Sequence, residues 1–364
     1  MDILGQTHIQ LILFFTLYGI TGVVPLIAAL YLLLRRGNAI APGVKPPLRL
    51  RRWTASFFAV TTLAHVWWLL FYIYSGDLQS VSSMVLGMVD CILLFVTFAG
   101  MLLAMLQDRR RPVWPALVTM IPLVALAGVF IVYPRSLIVQ IIMAYLVLIG
   151  LLFTAHMVAA IRQYERWLNE NYADLENKKV WLCQVVALVS MLLFVLYVFA
   201  IDMVLLWLIH IIALVLVVLL LWRVETLPRL KNTTTIQAQQ PTAAPATIDL
   251  AQIEQLLDEH CITPQLYLQH DLTLQQLAKT IGTNRYYLSQ YFSRKGITYN
   301  TYINNLRINH FVNRYQKVAA TEEPIVVQQL ANESGYRSYS TFSLAFKQRI
   351  GQSVTAWMRE MANS

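Results

Sequence analysis

Charge is scarce in this chain. Asp, Glu, Lys and Arg make up 13% of its residues, against about 25% in an average soluble domain. That shortage argues against an ordinary soluble regulator or enzyme. Cysteine is scarcer still. Cys91, Cys183 and Cys261 are scattered and lack metal-ligand spacing, so a disulfide framework is not expected and we read them as apolar packing residues. Neither an internal repeat nor a pair of broken helices marks a transporter. The first ten residues hold no Lys or Arg, and the apolar run behind them is too long for a signal-peptide core. They are expected to open a first membrane span, not a removed targeting segment.

Apolar runs are what the chain has in quantity. Its 364 residues are 57% hydrophobic, with a mean hydropathy of +0.55. The first 222 positions divide into stretches near the length that crosses a bilayer, about 20 residues. Seven spans are expected: 11–34, 53–74, 81–106, 113–133, 137–161, 180–200 and 203–222. Gly19, Gly22 and Pro25 predict a kink in the first. Pro115 sits harmlessly in the first turn of the fourth, which also holds Pro122. Between the last two spans only Asp202 interrupts the apolar run.

Basic residues crowd alternate connections. Arg35, Arg36, Lys45, Arg49, Arg51 and Arg52 lie in the first, Arg109 to Arg111 in the third, and Arg162, Arg166, Lys178 and Lys179 in the fifth. The other connections hold only Arg135. The positive-inside rule then puts the N-terminus outside an inner, cytoplasmic membrane and the chain after the seventh span in the cytoplasm. The basic first connection suits anionic lipid headgroups. The fifth connection also carries Glu165, Glu170, Asp174 and Glu176, an acidic surface able to dock a basic domain.

Ionisable residues inside spans are functional suspects because each is costly to insert. His65, Asp90 and His210 lie at similar depth. Thr61, His65, Trp68 and Tyr72 share a stripe of the second span; Ser83, Gly87 and Asp90 share one of the third. Trp207 stands one turn from His210. We expect either a buried Asp–His bond that staples helices or a pocket for a small-molecule or lipid ligand lined by His65, Trp68, Tyr72, Asp90, Trp207 and His210. No metal, cofactor or catalytic residue is expected.

Residues 225–247 form a polar, low-complexity linker. A flexible chain of that length spans roughly 25 Å and cannot carry torque. A signal from the bundle would therefore act through homodimerisation or through docking and release of the following domain. That domain, 248–364, opens on an amphipathic helix with Leu250, Ile253, Leu256 and Leu257 inward.

Two copies of one helix-turn-helix pattern follow, at 272–296 and 325–351. In the first, Leu274, Leu277, Ala278 and Ile281 mark one helix, Gly282 the turn, Thr283 or Asn284 a cap, and Leu288, Tyr291 and Phe292 the buried side of the second helix. In the second, Val326, Leu330 and Ala331, then Gly335, Ser338 or Ser340, and Phe342 and Phe346 play the same parts. From Thr273 onward 11 Lys and Arg face 4 Asp and Glu, the basic excess that double-stranded DNA requires. The second helix of such a pair offers its N-terminal end to the major groove. Candidate contacts are Arg285, Tyr286, Ser289 and Gln290 in the first copy, and Arg337, Tyr339, Thr341, Ser343 and Lys347 in the second. Arg294, Lys295, Arg307, Arg314 and Arg349 are candidate phosphate contacts.

LAKTIGTNRYYLSQYFSRKG, then TYINNLRI, then LANESGYRSYSTFSLAFKQRIG and a closing WMR, resembles the DNA-binding domain of AraC-type transcription regulators over roughly residues 248–360. The resemblance implies seven helices, two recognition helices in successive major grooves of promoter DNA, and a joining helix near 299–315. Three positions depart from the family pattern: Val354 replaces a proline, Leu344 a common basic residue, and His310-Phe311 a small residue. The whole is read as an all-α protein, a seven-span sensor (1–224) followed by a cytoplasmic double helix-turn-helix domain, acting as a one-component regulator. The alternatives are an intramembrane metal-dependent enzyme or a transporter-like receptor with an attached DNA-binding domain.

Overall fold

The computed structural model describes residues 3–35, 37–74, 80–175, 178–197, 203–230, 250–320 and 326–363. These residues are helical, with no strand and one isolated bridge between Tyr172 and Thr273. The chain forms two units, one of residues 1–162 and 180–232, the other of residues 163–179 and 233–364.

In the first unit the helices are α1 (Ile3–Leu34), α2 (Leu48–Tyr74), α3 (Val81–Met105), α4 (Trp114–Val118), α5 (Ile121–Val132), α6 (Ser136–Asn171, its end belonging to the second unit), α7 (Trp181–Tyr197) and α8 (Met203–Thr226). Six described helices are long and apolar enough to cross a membrane, the short α4 and α5 counting as one. The expected count was seven, and the difference lies in a span that is described only in part. The sixth expected span is helical over only the 17 residues of α7, and its end lies outside the described residues. The expected fourth span also breaks. Proline at position 122 has no N–H to donate and crowds the preceding turn, so α4 stops and α5 starts afresh. The Tyr145 hydroxyl donates to the Thr119 carbonyl at the break (2.7 Å), a partner that a backbone group in lipid requires. α1 stays one helix through Pro25.

Packing inside this unit follows small residues. Gly100 of α3 lies against the Trp53 ring of α2, where a Cβ would come within 2.3 Å of the indole. α1 packs on α2 and α8, and α7 on α8. Large apolar side chains point outward along several helices, among them Ile27, Leu33, Leu152 and Val218. Such an outward apolar surface suits lipid rather than water.

One end of the unit gathers the first and third connections, both basic. Arg49 donates to the Arg111 carbonyl, and Arg111 pairs with Asp108. Gln184, near the start of α7, donates to the Leu102 carbonyl at the end of α3 (3.0 Å). The chain leaves α8 at this same end. The Arg229 N–H donates to the Lys45 carbonyl, and Gln107 holds both the Pro228 carbonyl and the Leu230 N–H. Residues 225–230, expected to open the linker, are instead held at this end. Glu225, Leu227 and Leu230 are buried, with Glu225 accepting from Tyr31 (2.8 Å). The apolar pair Leu227 and Leu230 was the available sign. Residues 231–247 of the expected linker lie outside the described residues.

The second unit contains α9 (Leu250–Leu257), α10 (Leu274–Thr280), α11 (Arg285–Arg294), α12 (Tyr299–Ala319), α13 (Val327–Glu333), α14 (Tyr339–Ile350) and α15 (Val354–Asn363). Two aromatic-rich cores form, one around each helix-turn-helix copy. α12 serves both: Tyr299 and Ile303 enter the first core, Ile308, Phe311 and Tyr315 the second. The Phe311 ring packs at a tilt on that of Phe342 (centroids 4.5 Å apart), so the departure at that position fills the second core. Val354, in place of a proline, is buried there as the first residue of α15. Ile253 and Leu257 of α9 are buried and Leu256 is half-buried, as the amphipathic pattern expects; the Leu250 side chain lies outside the described residues.

Candidate nucleic-acid interface and the polar cluster of the bundle

Each copy of the helix-turn-helix is built from a cap, a glycine turn and a second helix. In the first, Thr273 and Gln276 form a capping box on α10, satisfying two N–H groups that a helix start leaves open. Gly282 makes the turn at φ +76°, and Asn284 caps α11 by accepting from the Tyr287 N–H (3.0 Å). In the second, Gly335 turns at φ +90° and Ser338 caps α14 by accepting from the Thr341 N–H (3.3 Å). Asn284 and Ser338 are thus the caps, of the pairs the sequence left open. Val326 does not join the first helix of the second copy. It is the exposed residue before α13, and Val327 packs on the core in its place.

The recognition helices carry the candidate contacts as follows. On α11, Tyr286 is exposed, its hydroxyl accepting from Gln290 (2.6 Å); Ser289 and Gln290 are half-buried and Arg294 is exposed. Arg285 is half-buried. Burial pushes its guanidinium pKa down, while Glu170 and Tyr172 push it back up. Around α14, Arg337, Tyr339 and Lys347 are exposed, and Thr341 and Ser343 half-buried. Leu344 is exposed on the same helix, an apolar side chain at the surface. Arg337 is paired with Asp271 (2.7 Å).

Arg307 is a correction. It is 1% exposed and donates to the Tyr267 and Gln269 carbonyls (2.7 and 2.8 Å), with its guanidinium over the Tyr336 ring. A charge so enclosed and bonded to two backbone carbonyls holds the junction of the two cores instead of meeting a phosphate. Lys295 and Arg314 reach the surface, where they pair with Glu254 and Glu333; the Arg314 bond holds the Glu333 carboxyl below its usual range. Arg349 is exposed. The sequence reading missed Asp271 and Asn300. Asp271 holds φ +54° just before α10, a conformation that Asp tolerates better than most residues.

Within the bundle, His65 and His210 come together (ring centroids 5.9 Å). Thr21 bonds His65 Nε2 (3.0 Å), the Thr61 carbonyl faces Nδ1 (2.8 Å), and the Tyr18 hydroxyl donates to the His65 carbonyl (2.8 Å). Gly22 allows this, since a Cβ there would lie 3.3 Å from that of His65. Asp90 instead accepts from the Trp68 indole, with the Trp67 indole beside it, and the Trp207 indole nitrogen is buried without a hydrogen-bond partner. Tyr72 is exposed and packs on Phe15. The expected single pocket therefore resolves into a two-histidine cluster and a separate Asp90–Trp68 pair. Among the described residues no group of three or more His, Cys, Asp or Glu side chains is placed to hold a metal ion.

No curated protein and no solved structure matches the chain. Residues 277–360 match the family model of a helix-turn-helix domain. The chain thus carries an AraC-type, DNA-binding helix-turn-helix domain of transcription regulators behind several helices apolar enough to cross a membrane.

Proposed function

We propose that the protein is a membrane-embedded one-component transcription regulator, reading promoter DNA with α11 and α14 under control of a signal perceived in the bundle. The observation that carries this reading is the shared end of the first unit. The first and third connections, both basic, the start of α7 and the exit from α8 lie there. If α7 crosses with the other six, the count is odd, and the positive-inside rule sends residues 233–364 into the cytoplasm with the DNA. Arg285, Tyr286, Ser289, Gln290, Arg337, Tyr339, Thr341, Ser343 and Lys347 are the proposed base-reading set, and Arg294, Lys295, Arg314 and Arg349 the phosphate set. For perception we propose the His65–His210 cluster, with Trp207 and the Asp90–Trp68 pair as neighbouring polar sites for a small-molecule or lipid ligand.

Chromatin crosslinking of the full chain in cells, followed by sequencing, tests the reading. Discrete occupied promoters are expected, lost in the Arg285→Ala/Arg337→Ala double variant. Occupancy spread evenly along the chromosome would remove specific regulation from the account.

A further inference from the structure

We propose that the DNA-binding unit carries a site for segment 163–179 of the same chain, and that the docked segment holds Arg285 away from DNA. This rests on the DNA-binding reading above. The segment is remote in sequence from the helix-turn-helix pair, being the connection between α6 and α7, yet it folds as part of the second unit.

Its contacts are specific. Where α6 ends, Tyr172 pairs with Thr273 across an antiparallel bridge, and the Ala173 N–H donates to the Leu272 carbonyl (3.3 Å). Asn300, in the first turn of α12, donates from Nδ2 to both the Tyr172 and Ala173 carbonyls (3.1 and 2.7 Å). Ala173 is 2% exposed and belongs to the core of the first copy. Lys178 is buried, bonds the Asp174 carbonyl and Asp271 (2.8 and 3.3 Å), and lies over the Tyr172 ring. Tyr164 closes the segment on itself by donating to the Lys178 carbonyl. A solvated loop has no need to bury a lysine, because that cost is met only by placed partners.

The docked position bears on DNA reading in two ways. Arg285, the first residue of the first recognition helix, is half-buried, and Glu170 and Tyr172 of the segment act on its guanidinium through space. The bridge also meets Thr273, the residue that caps α10. α6 runs unbroken from Ser136 to Asn171, so the residue before Tyr172 belongs to the same helix as the membrane-length stretch. A stimulus then acts by biasing docked against undocked segment.

The hydrogen-bond pattern makes Tyr172 and Thr273 a non-hydrogen-bonded pair, whose Cα atoms stand about 4.5 Å apart, within disulfide range. The test is the full-length Tyr172→Cys/Thr273→Cys protein in lipid nanodiscs. The probe is the set of duplexes that its reduced form enriches from a random-sequence pool. Oxidation should form the crosslink, mapped by peptide mass spectrometry, and weaken binding at least about tenfold, with reductant restoring it. Each single-cysteine variant should be insensitive. Asn300→Ala, which removes two of the bonds, should bind the same duplexes several-fold more tightly than wild type and expose residues 163–179 to protease. Failure of the crosslink to form, a locked protein that binds as well as or better than its reduced form, or an Asn300→Ala protein with unchanged affinity overturns the inference. If the reduced protein enriches no duplex while the crosslink still forms, the DNA-binding reading itself has failed.

Discussion

The two helix-turn-helix copies share a sequence pattern and differ in what holds them. In the first, the turn residue Gly282 faces open space, and the neighbouring recognition helix starts at the half-buried Arg285. In the second, Gly335 is enclosed: a Cβ there would sit 2.8 Å from the Leu268 carbonyl oxygen and 2.9 Å from Arg307 Nε. The first copy is thus arranged around its contact with segment 163–179, the second around the buried Arg307. The pattern specifies two similar helix pairs, and their surroundings differ: one meets segment 163–179, and the other packs against a buried arginine.

That contrast can be broken at its firmest point. Arg307→Ala should cost about 3 kcal/mol, since it leaves two buried carbonyls without their donor, and should loosen both cores together in hydrogen-exchange protection. Equal protection in wild type and variant would refute the locking role. Gly335→Ala should destabilise the second copy by about 2–3 kcal/mol, through backbone strain plus the clash, whereas Gly282→Ala should cost the first only about 1 kcal/mol. Thermal melts of the two variants measure the difference, and equal costs would erase the distinction between the turns. Arg337→Ala should weaken specific binding by about 1–3 kcal/mol if it reads a base, after giving up its bond to Asp271. Titration against promoter and scrambled duplexes distinguishes this from a phosphate contact, which would weaken both alike. The smallest effect is expected at the caps: Asn284→Ala and Ser338→Ala should each cost about 1 kcal/mol.

Much of this was legible in the sequence, because the patterns rest on local chemistry. Gly282 and Gly335 had to be turns, and both adopt positive φ. The caps lay among the few side chains able to accept an N–H. Arg307 was not legible, since an arginine on a helix face looks the same whether it points to solvent or into a junction between two cores. The segment at 171–178 was harder still. Its role depends on Asn300 and Leu272, far along the chain, and no local periodicity reports such a meeting. Depth singled out His65, Asp90 and His210 in the spans, but it does not report how they group. His65 found His210, and Asp90 found Trp68, because azimuth around each helix decides partners and depth alone does not. The break before α5 was signalled by Pro122, with Tyr145 supplying a partner that only the fold brings near.

The central claim is that a DNA-reading domain is tethered, on the cytoplasmic side, to a bundle crossing the membrane an odd number of times. An epitope tag fused after Ser364, probed in spheroplasts before and after the inner membrane is permeabilised, tests it directly. The account predicts labelling only after permeabilisation; a tag reached in intact spheroplasts would contradict it.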